Sequence, residues 1–301
     1  MADPTQTTAP DRQLADLLSD CSQRCETYLE RWLVSPGTPE TLAEAMRYCL
    51  RGGGKRLRPA LVMLAAEAVG GRADDEVTGR AAASVEMLHT YSLVHDDLPA
   101  MDDDDLRRGQ PSAHVRFGEA MAVLVGDALL TRAFELLAEA GPRGAALAAE
   151  LARGAGPAGM IAGQVADMEL CELPAGADGL WYIHEHKTAA LLRAAARMGG
   201  RCGGAGEREL DALGSYGETL GLAFQVVDDV LDVTGSAEQL GKTPGKDAEA
   251  RKRTSVAELG LEGARRRAGE LTDRAVAALA PLGASADRLR KLAAALGRRE
   301  R

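Results

Sequence analysis

Residues 91–114 read YSLVHDDLPAMDDDDLRRGQPSAH. Six aspartates, Asp96, Asp97, Asp102, Asp103, Asp104 and Asp105, follow an apolar helical pattern and directly precede Arg107 and Arg108. Carboxylates crowded at the end of a hydrophobic helix repel one another unless water or cations compensate, and a hard divalent cation with oxygen ligands does so economically. A solvated acidic turn is the alternative, because charge runs are commonly exposed. Asp96 and Asp102 stand too far apart to align on a regular helix, and Pro99 forbids its continuation. The spacing therefore predicts that residues 98–101 bulge outward and return Asp102 to the face of Asp96.

A second acidic group lies far along the chain, in LAFQVVDDVLDV at residues 222–233. Asp228 and Asp232 are one helical turn apart and share a face, with Asp229 between them in almost wholly apolar surroundings. Unpaired burial of such charges is costly, so this group also asks for a metal or a buried cation. An exposed stripe on a short helix is the structural alternative.

The 301 residues are 46% hydrophobic, with aromatics at 3%. No linker interrupts the pattern, so the reading is one domain over residues 11–301 behind a flexible, Pro/Thr-rich tail at 1–10. Alanine, leucine, arginine and glutamate dominate and no sustained period-two alternation occurs, which predicts an all-α fold without a sheet. A formal charge of −9 excludes a general nucleic-acid binder. Five cysteines fit a reduced, cytoplasmic setting better than a disulfide framework. No apolar run is long enough to span a membrane.

Apolar periodicity predicts helices over residues 11–33, 38–50, 59–69, 75–97, 117–139, 143–153, 157–170, 207–233, 255–279 and 285–296, with a further one carrying Lys187 and Thr188. Between the second and third lies Gly52-Gly53-Gly54-Lys55-Arg56-Leu57-Arg58-Pro59, glycines followed by three cations at a helix start. Such a loop can cradle a diphosphate or can be a solvated turn. His89 precedes Asp96 by two turns, where a satisfied structural histidine is the plain alternative. Gln164 and Asp167 are candidates to reach a cavity. Residues 235–253 are polar and rich in Lys and Gly, as a mobile lid would be.

Taken together, GGGKRLRP, VEMLHTYSLVHDDLPAMDDDDLRRG, GQVADME at Gly163, HKT at His186, FQVVDDVLD and LGK at Leu240 resemble the blocks of the trans-isoprenyl diphosphate synthases, in that family's order over residues 40–260. The resemblance implies an all-α bundle of about ten to thirteen helices around a deep central cavity, and a homodimer. It implies Mg²⁺, three ions with bound diphosphate and Mn²⁺ as a substitute, held by Asp96, Asp97, Asp102, Asp228, Asp229 and Asp232. Lys55, Arg58, His89 and Arg108 would hold isopentenyl diphosphate. Arg107, Lys187, Thr188, Gln225, Lys242 and Lys252 would meet the allylic diphosphate. Asp96, Asp102, Arg107, Lys187, Asp228 and Lys242 would form the catalytic set. Where the family has Thr-Tyr-Pro after the last lysine, this chain reads Thr254-Ser255-Val256, which puts the lid geometry in question.

Product length in such an enzyme depends on what blocks the cavity below Asp96. One helical turn is about 5.4 Å, close to an isoprene unit, so Ser92 and Tyr91 form the nearest floor. A tyrosine there resembles the bacterial farnesyl diphosphate synthases, with geranylgeranyl or geranyl products as alternatives; packing between helices is the structural reading of Tyr91. A class I terpene cyclase would lack the second aspartate group, and a non-catalytic synthase subunit would have lost metal aspartates.

Overall fold

Leu57–Ala68 is apolar on every side, and a helix of that kind has to be enclosed by others. In the computed structural model, which describes residues 9–51, 53–174, 176–234 and 253–298, this helix, α3, has ten of its twelve residues buried. It packs on α4 (Glu76–Asp96) and α10 (Ala190–Gly203), both rich in small buried residues that allow close approach. Around these three stand α1 (Ala9–Trp32), α2 (Glu40–Arg51), α6 (Glu119–Ala138), α7 (Gly144–Ala155) and α11 (Glu207–Thr234). Short helices α5 (Ala113–Phe117), α8 (Met160–Asp167) and α9 (Ala177–Ile183) connect them, and α12 (Ser255–Ala278) and α13 (Asp287–Gly297) complete thirteen α-helices among the described residues.

The main core draws on α1 at one end and α13 at the other, and Tyr216, fully buried on α11, donates its hydroxyl to the Leu289 carbonyl at 2.6 Å to seat α13. A smaller cluster joins Ala223, Val226, Val227 and Val230 of α11 to Ala264, Ala268 and Leu271 of α12. It fixes the face from which the second acidic group projects.

Three local features differ from the sequence reading. The helix predicted over residues 117–139 is α6 and begins at Glu119, because Gly118 adopts φ 86° and separates it from the short α5 that the sequence reading did not place. The segment with Lys187 and Thr188 is a π-helical turn, His184–Ala189, between α9 and α10. A minimal antiparallel hairpin, β1 (Leu106–Arg107) with β2 (Gln110–Pro111), interrupts the all-α architecture. The tail expected over residues 1–10 lies outside the described residues except for Ala9 and Pro10, which open α1.

One buried ion pair locks the entry to α3. Arg56 sits at its N-cap with φ 46°, a left-handed conformation that surrounding contacts must enforce. Its guanidinium donates to Glu86 on α4 at 2.6 Å, to Glu26 on α1 at 2.7 Å and to the Leu50 carbonyl at the end of α2 at 2.6 Å. Four helices meet at one side chain. Glu86→Leu should destabilise the fold by about 3 kcal/mol, since Arg56 would stay buried without its main counter-charge. Urea unfolding would check this, and a loss under about 1 kcal/mol would remove the pair as the anchor.

Candidate active site

The bulge expected after Asp97 forms through backbone hydrogen bonds. Met101 N–H donates to the Leu98 carbonyl at 2.8 Å, Asp102 N–H to the Asp96 carbonyl at 2.9 Å, and Asp104 N–H to the Asp97 carbonyl at 3.2 Å. Asp102 is thereby folded back onto the end of α4. Asp96 is half-buried, and its carboxyl is raised to about 6, mainly by burial, with the Lys187 charge opposing and the Asp102 charge adding. Asp97 is different: it is buried, and Arg107 Nε reaches both of its carboxylate oxygens, at 3.0 and 3.1 Å, with Nη2 on Oδ1 as well. In this arrangement Asp97 anchors Arg107, while Asp96 and Asp102 share the open side of the bulge.

Arg107 belongs to the hairpin whose two central residues, Arg108 (φ 53°) and Gly109 (φ 77°), both take the positive φ that a tight antiparallel turn requires. The turn carries the Arg108 guanidinium onto Gly54; a Cβ built there would lie 2.6 Å from Nη1. Close by, Arg58 is held down to about 10 by burial, with the Arg108 charge pushing the same way and Glu86 and Asp228 opposing. Its Nε is buried without a hydrogen-bond partner. His89 is held well below its ordinary value by burial and then by the charges of Arg58, Arg108, Arg107 and Arg56. Lys55 is exposed on the same loop. Sequence-predicted Arg58, His89 and Arg108 therefore come together, with Lys55 on the same loop; Arg56, another cation of the loop, belongs to the scaffold.

The second acidic group divides in the same way as the first. Asp228 and Asp232 are half-buried on one face of α11, whereas Asp229 is buried. Asp229 accepts from the Ser255 N–H at 2.7 Å and from Gln225 Nε2 at 3.3 Å, with His184 Nε2 at 3.6 Å. Burial raises its carboxyl to about 6, and the Ser255 and Gln225 donors lower it only in part. Gln225 in turn accepts from Thr188 Oγ1 at 2.9 Å. Lys187, on the same π-helical turn, donates to Asp167 at 2.6 Å, and Gln164 Nε2 is buried on α8 with no partner. The π turn thus delivers Lys187 toward the first acidic group and Thr188 toward the second. The departure at Thr254-Ser255-Val256 also gains a structural role: Thr254 Oγ1 caps α12 through Ala257 N–H at 3.2 Å, and Ser255 ties the helix start to Asp229. Lys242 and Lys252 lie outside the described residues.

Sequence reasoning gave no role to Glu86 or His184 and met Ser255 only as a departure from the family pattern, yet all three set charge and geometry around the site. Glu86 had a readable signal, a lone acid in the apolar run of α4; His184 and Ser255 had none, because their contacts are made across the fold. Among the described residues no three metal-ligating side chains close on one ion by themselves. The donor set facing the site is nonetheless all carboxylate oxygen, which suits Mg²⁺ when further oxygens come from a ligand.

An all-helical fold that sets two acidic groups opposite a cationic loop is that of the isoprenoid synthases. The polyprenyl synthetase model matches residues 39–280, and the chain belongs to that family of prenyltransferases. It is 51% identical over 248 residues to a chloroplastic geranylgeranyl pyrophosphate synthase of Arabidopsis thaliana, covering 79% of this chain and 68% of the relative. It is 45% identical over 254 residues to the farnesyl diphosphate synthase of Geobacillus stearothermophilus, covering 82% and 85%. The apo crystal structure of an FPP/GFPP synthase from Zymomonas mobilis superposes with a TM-score of 0.79 at 36% identity, over 93% of this chain and 97% of that one.

The depressed histidine gives a direct test. In the free protein the His89 imidazole should stay neutral through pH 6.5, where an ordinary histidine is about half protonated. Saturating inorganic diphosphate should raise its titration point. NMR of the imidazole signals, assigned with His89→Asn, would check both, and an ordinary titration unaffected by diphosphate would contradict the arrangement.

Proposed function

We propose that the protein is a short-chain trans-prenyltransferase that condenses dimethylallyl and then geranyl diphosphate with isopentenyl diphosphate to give farnesyl diphosphate. The observation that carries the chemistry is the cluster of Arg58, Arg108 and His89, each held below its ordinary value by burial and by neighbouring positive charge. A diphosphate relieves that cost, because an anion favours the charged form of every group it touches. Lys55 extends the same site at the surface.

The allylic diphosphate belongs between the two acidic groups. Mg²⁺ supplies charge neutralisation of its departing diphosphate, with Asp96, Asp102, Asp228 and Asp232 as the residues to hold it. Asp97 and Asp229 support these ligands through Arg107 and Ser255. Lys187 and Thr188 orient the diphosphate from the π turn, with Gln225 fixing the Thr188 hydroxyl, and Lys242 and Lys252 are proposed to close over it. Cleavage of the carbon–oxygen bond then leaves an allylic cation. The double bond of the isopentenyl diphosphate held by Lys55, Arg58, His89 and Arg108 attacks it to form the new carbon–carbon bond, and the resulting cation gives up a proton to the released diphosphate to restore a double bond.

Tyr91 supports the fifteen-carbon product. Its ring is half-buried in the seam between α4 and α6, edge-on to His95 with centroids 5.3 Å apart, while Ser92 bonds back to the His89 carbonyl at 2.8 Å and is the smaller obstacle. A homodimer is part of the reading: Val115, Val123 and Leu124 leave an exposed apolar strip along α5 and α6 that a second copy would cover. A reducing, cytoplasmic setting fits five free thiols. No helix among the described residues is long and apolar enough to cross a membrane.

With Mg²⁺, dimethylallyl diphosphate and excess isopentenyl diphosphate, the purified protein should yield mainly fifteen-carbon alcohol after dephosphorylation. Twenty carbons would keep the chemistry and reject the Tyr91 floor; no elongation from any allylic primer would reject the chemistry. Tyr91→Ala should lengthen the product by at least one isoprene unit. Asp96→Ala and Asp228→Ala should each slow turnover by about 10²-fold or more, and near-normal rates in either would reject the ligand assignment.

A further inference from the structure

The hairpin that presents Arg107 and Arg108 is only two residue pairs long, too short to hold itself in water. Arg108 also sits at φ 53°, which a non-glycine residue keeps only when its surroundings enforce it. One side is held by the ion pair of Arg107 with Asp97. The other side, β2, ends in Pro111, which has no N–H. Leu106 and Pro111 form the pair just outside Arg107 and Gln110, the position where antiparallel strands do not bond each other, so the Pro111 carbonyl faces outward. The next pair closes again, with Ser112 N–H on the Asp105 carbonyl at 2.8 Å.

The outward carbonyl is met by Tyr48, whose hydroxyl donates to it at 2.7 Å. The Tyr48 ring is fixed in turn: it lies edge-on to Phe117 of α5 at 5.3 Å, and Arg116 stacks over it at 4.2 Å. Tyr48 stands on the last turn of α2, and that helix runs directly into the glycine-rich loop of Gly54, Lys55 and Arg58. The same helix end therefore carries one half of the cation cluster and grips the strand that carries the other half. Release of that grip would let Arg108 lift from Gly54 without disturbing Asp96, Lys187 or the second acidic group.

We infer that Tyr48 is a positioning residue, holding the Arg108 end of the hairpin over the glycine-rich loop while Asp97 keeps Arg107 in place, and thereby setting affinity for isopentenyl diphosphate. The inference rests on the proposed role of Arg108 in binding that substrate. Tyr48→Phe keeps the ring under Arg116 and removes only the hydroxyl. It should raise KM for isopentenyl diphosphate by about three- to tenfold, the range set by one lost hydrogen bond. Turnover number, KM for geranyl diphosphate and melting temperature should stay at their parental values.

Arg108→Ala is the companion measurement and should raise the same KM further. If Arg108→Ala does so and Tyr48→Phe does not, the positioning role is overturned while the substrate assignment stands. An unchanged KM in Arg108→Ala would overturn the assignment and the inference with it. Equal rises in both KM values with a lowered melting temperature in Tyr48→Phe would make Tyr48 a general structural residue and overturn the inference as well.

Discussion

Two adjacent carboxylates cannot both face the same ion-binding space from a helix, and the site is built on that constraint. Successive residues on a helix point in different directions. In each acidic pair one member faces the open side and the other is turned into the protein, where it needs donors. Asp97 finds them in the Arg107 guanidinium and Asp229 in the Ser255 N–H and the Gln225 amide. Both inward aspartates therefore act as struts. One fixes the hairpin that brings Arg108 to the glycine-rich loop, and the other fixes the start of α12 and the Gln225–Thr188 contact.

The cations are sorted by the same logic. Arg56 and Arg58 are two residues apart, yet Arg56 has a carboxylate on each of two helices and a carbonyl on a third, whereas a buried nitrogen of Arg58 has no partner. A fully paired guanidinium stabilises the scaffold, and one crowded by other positive charge is destabilising until an anion arrives. Strain and unmet charge are concentrated where a diphosphate would sit, while the buried pair beneath carries the mechanical connection among α1, α2, α3 and α4.

Much of this was legible in the sequence. Apolar periodicity located most of the helices, because the Ala- and Leu-rich faces of α3, α4 and α10 are a local pattern. Pro99 with the long Asp96 to Asp102 spacing announced the bulge, and the one-turn spacing of Asp228 and Asp232 announced their common face. Three things were not legible. The partners of Asp97 and Asp229 are brought in by chain folding, so the roles within each pair could not be separated from spacing. The π turn at His184–Ala189 has no composition of its own. Arg56 looked like its neighbours because nothing local says that Glu26 and Glu86 converge on it.

The seam between α4 and α6 shows how a product-measuring residue can depend on its neighbours. Tyr91 and His95 are one turn apart on α4, their rings edge to face. His95 Nε2 reaches the Val123 carbonyl on α6 at 3.1 Å, and a side chain at Gly126 would occupy the space the imidazole takes. The glycine lets the two helices close over His95, and the closed imidazole gives Tyr91 a fixed wall on one side. An obstacle that stops a growing chain has to resist displacement, and a half-buried ring on a single helix would swing aside at the cost of one rotamer change. Under the proposed fifteen-carbon reading, the stop is the Tyr91 ring backed by His95 against α6. The residue at position 91 then sets product length only in a chain that also keeps His95 seated against Gly126.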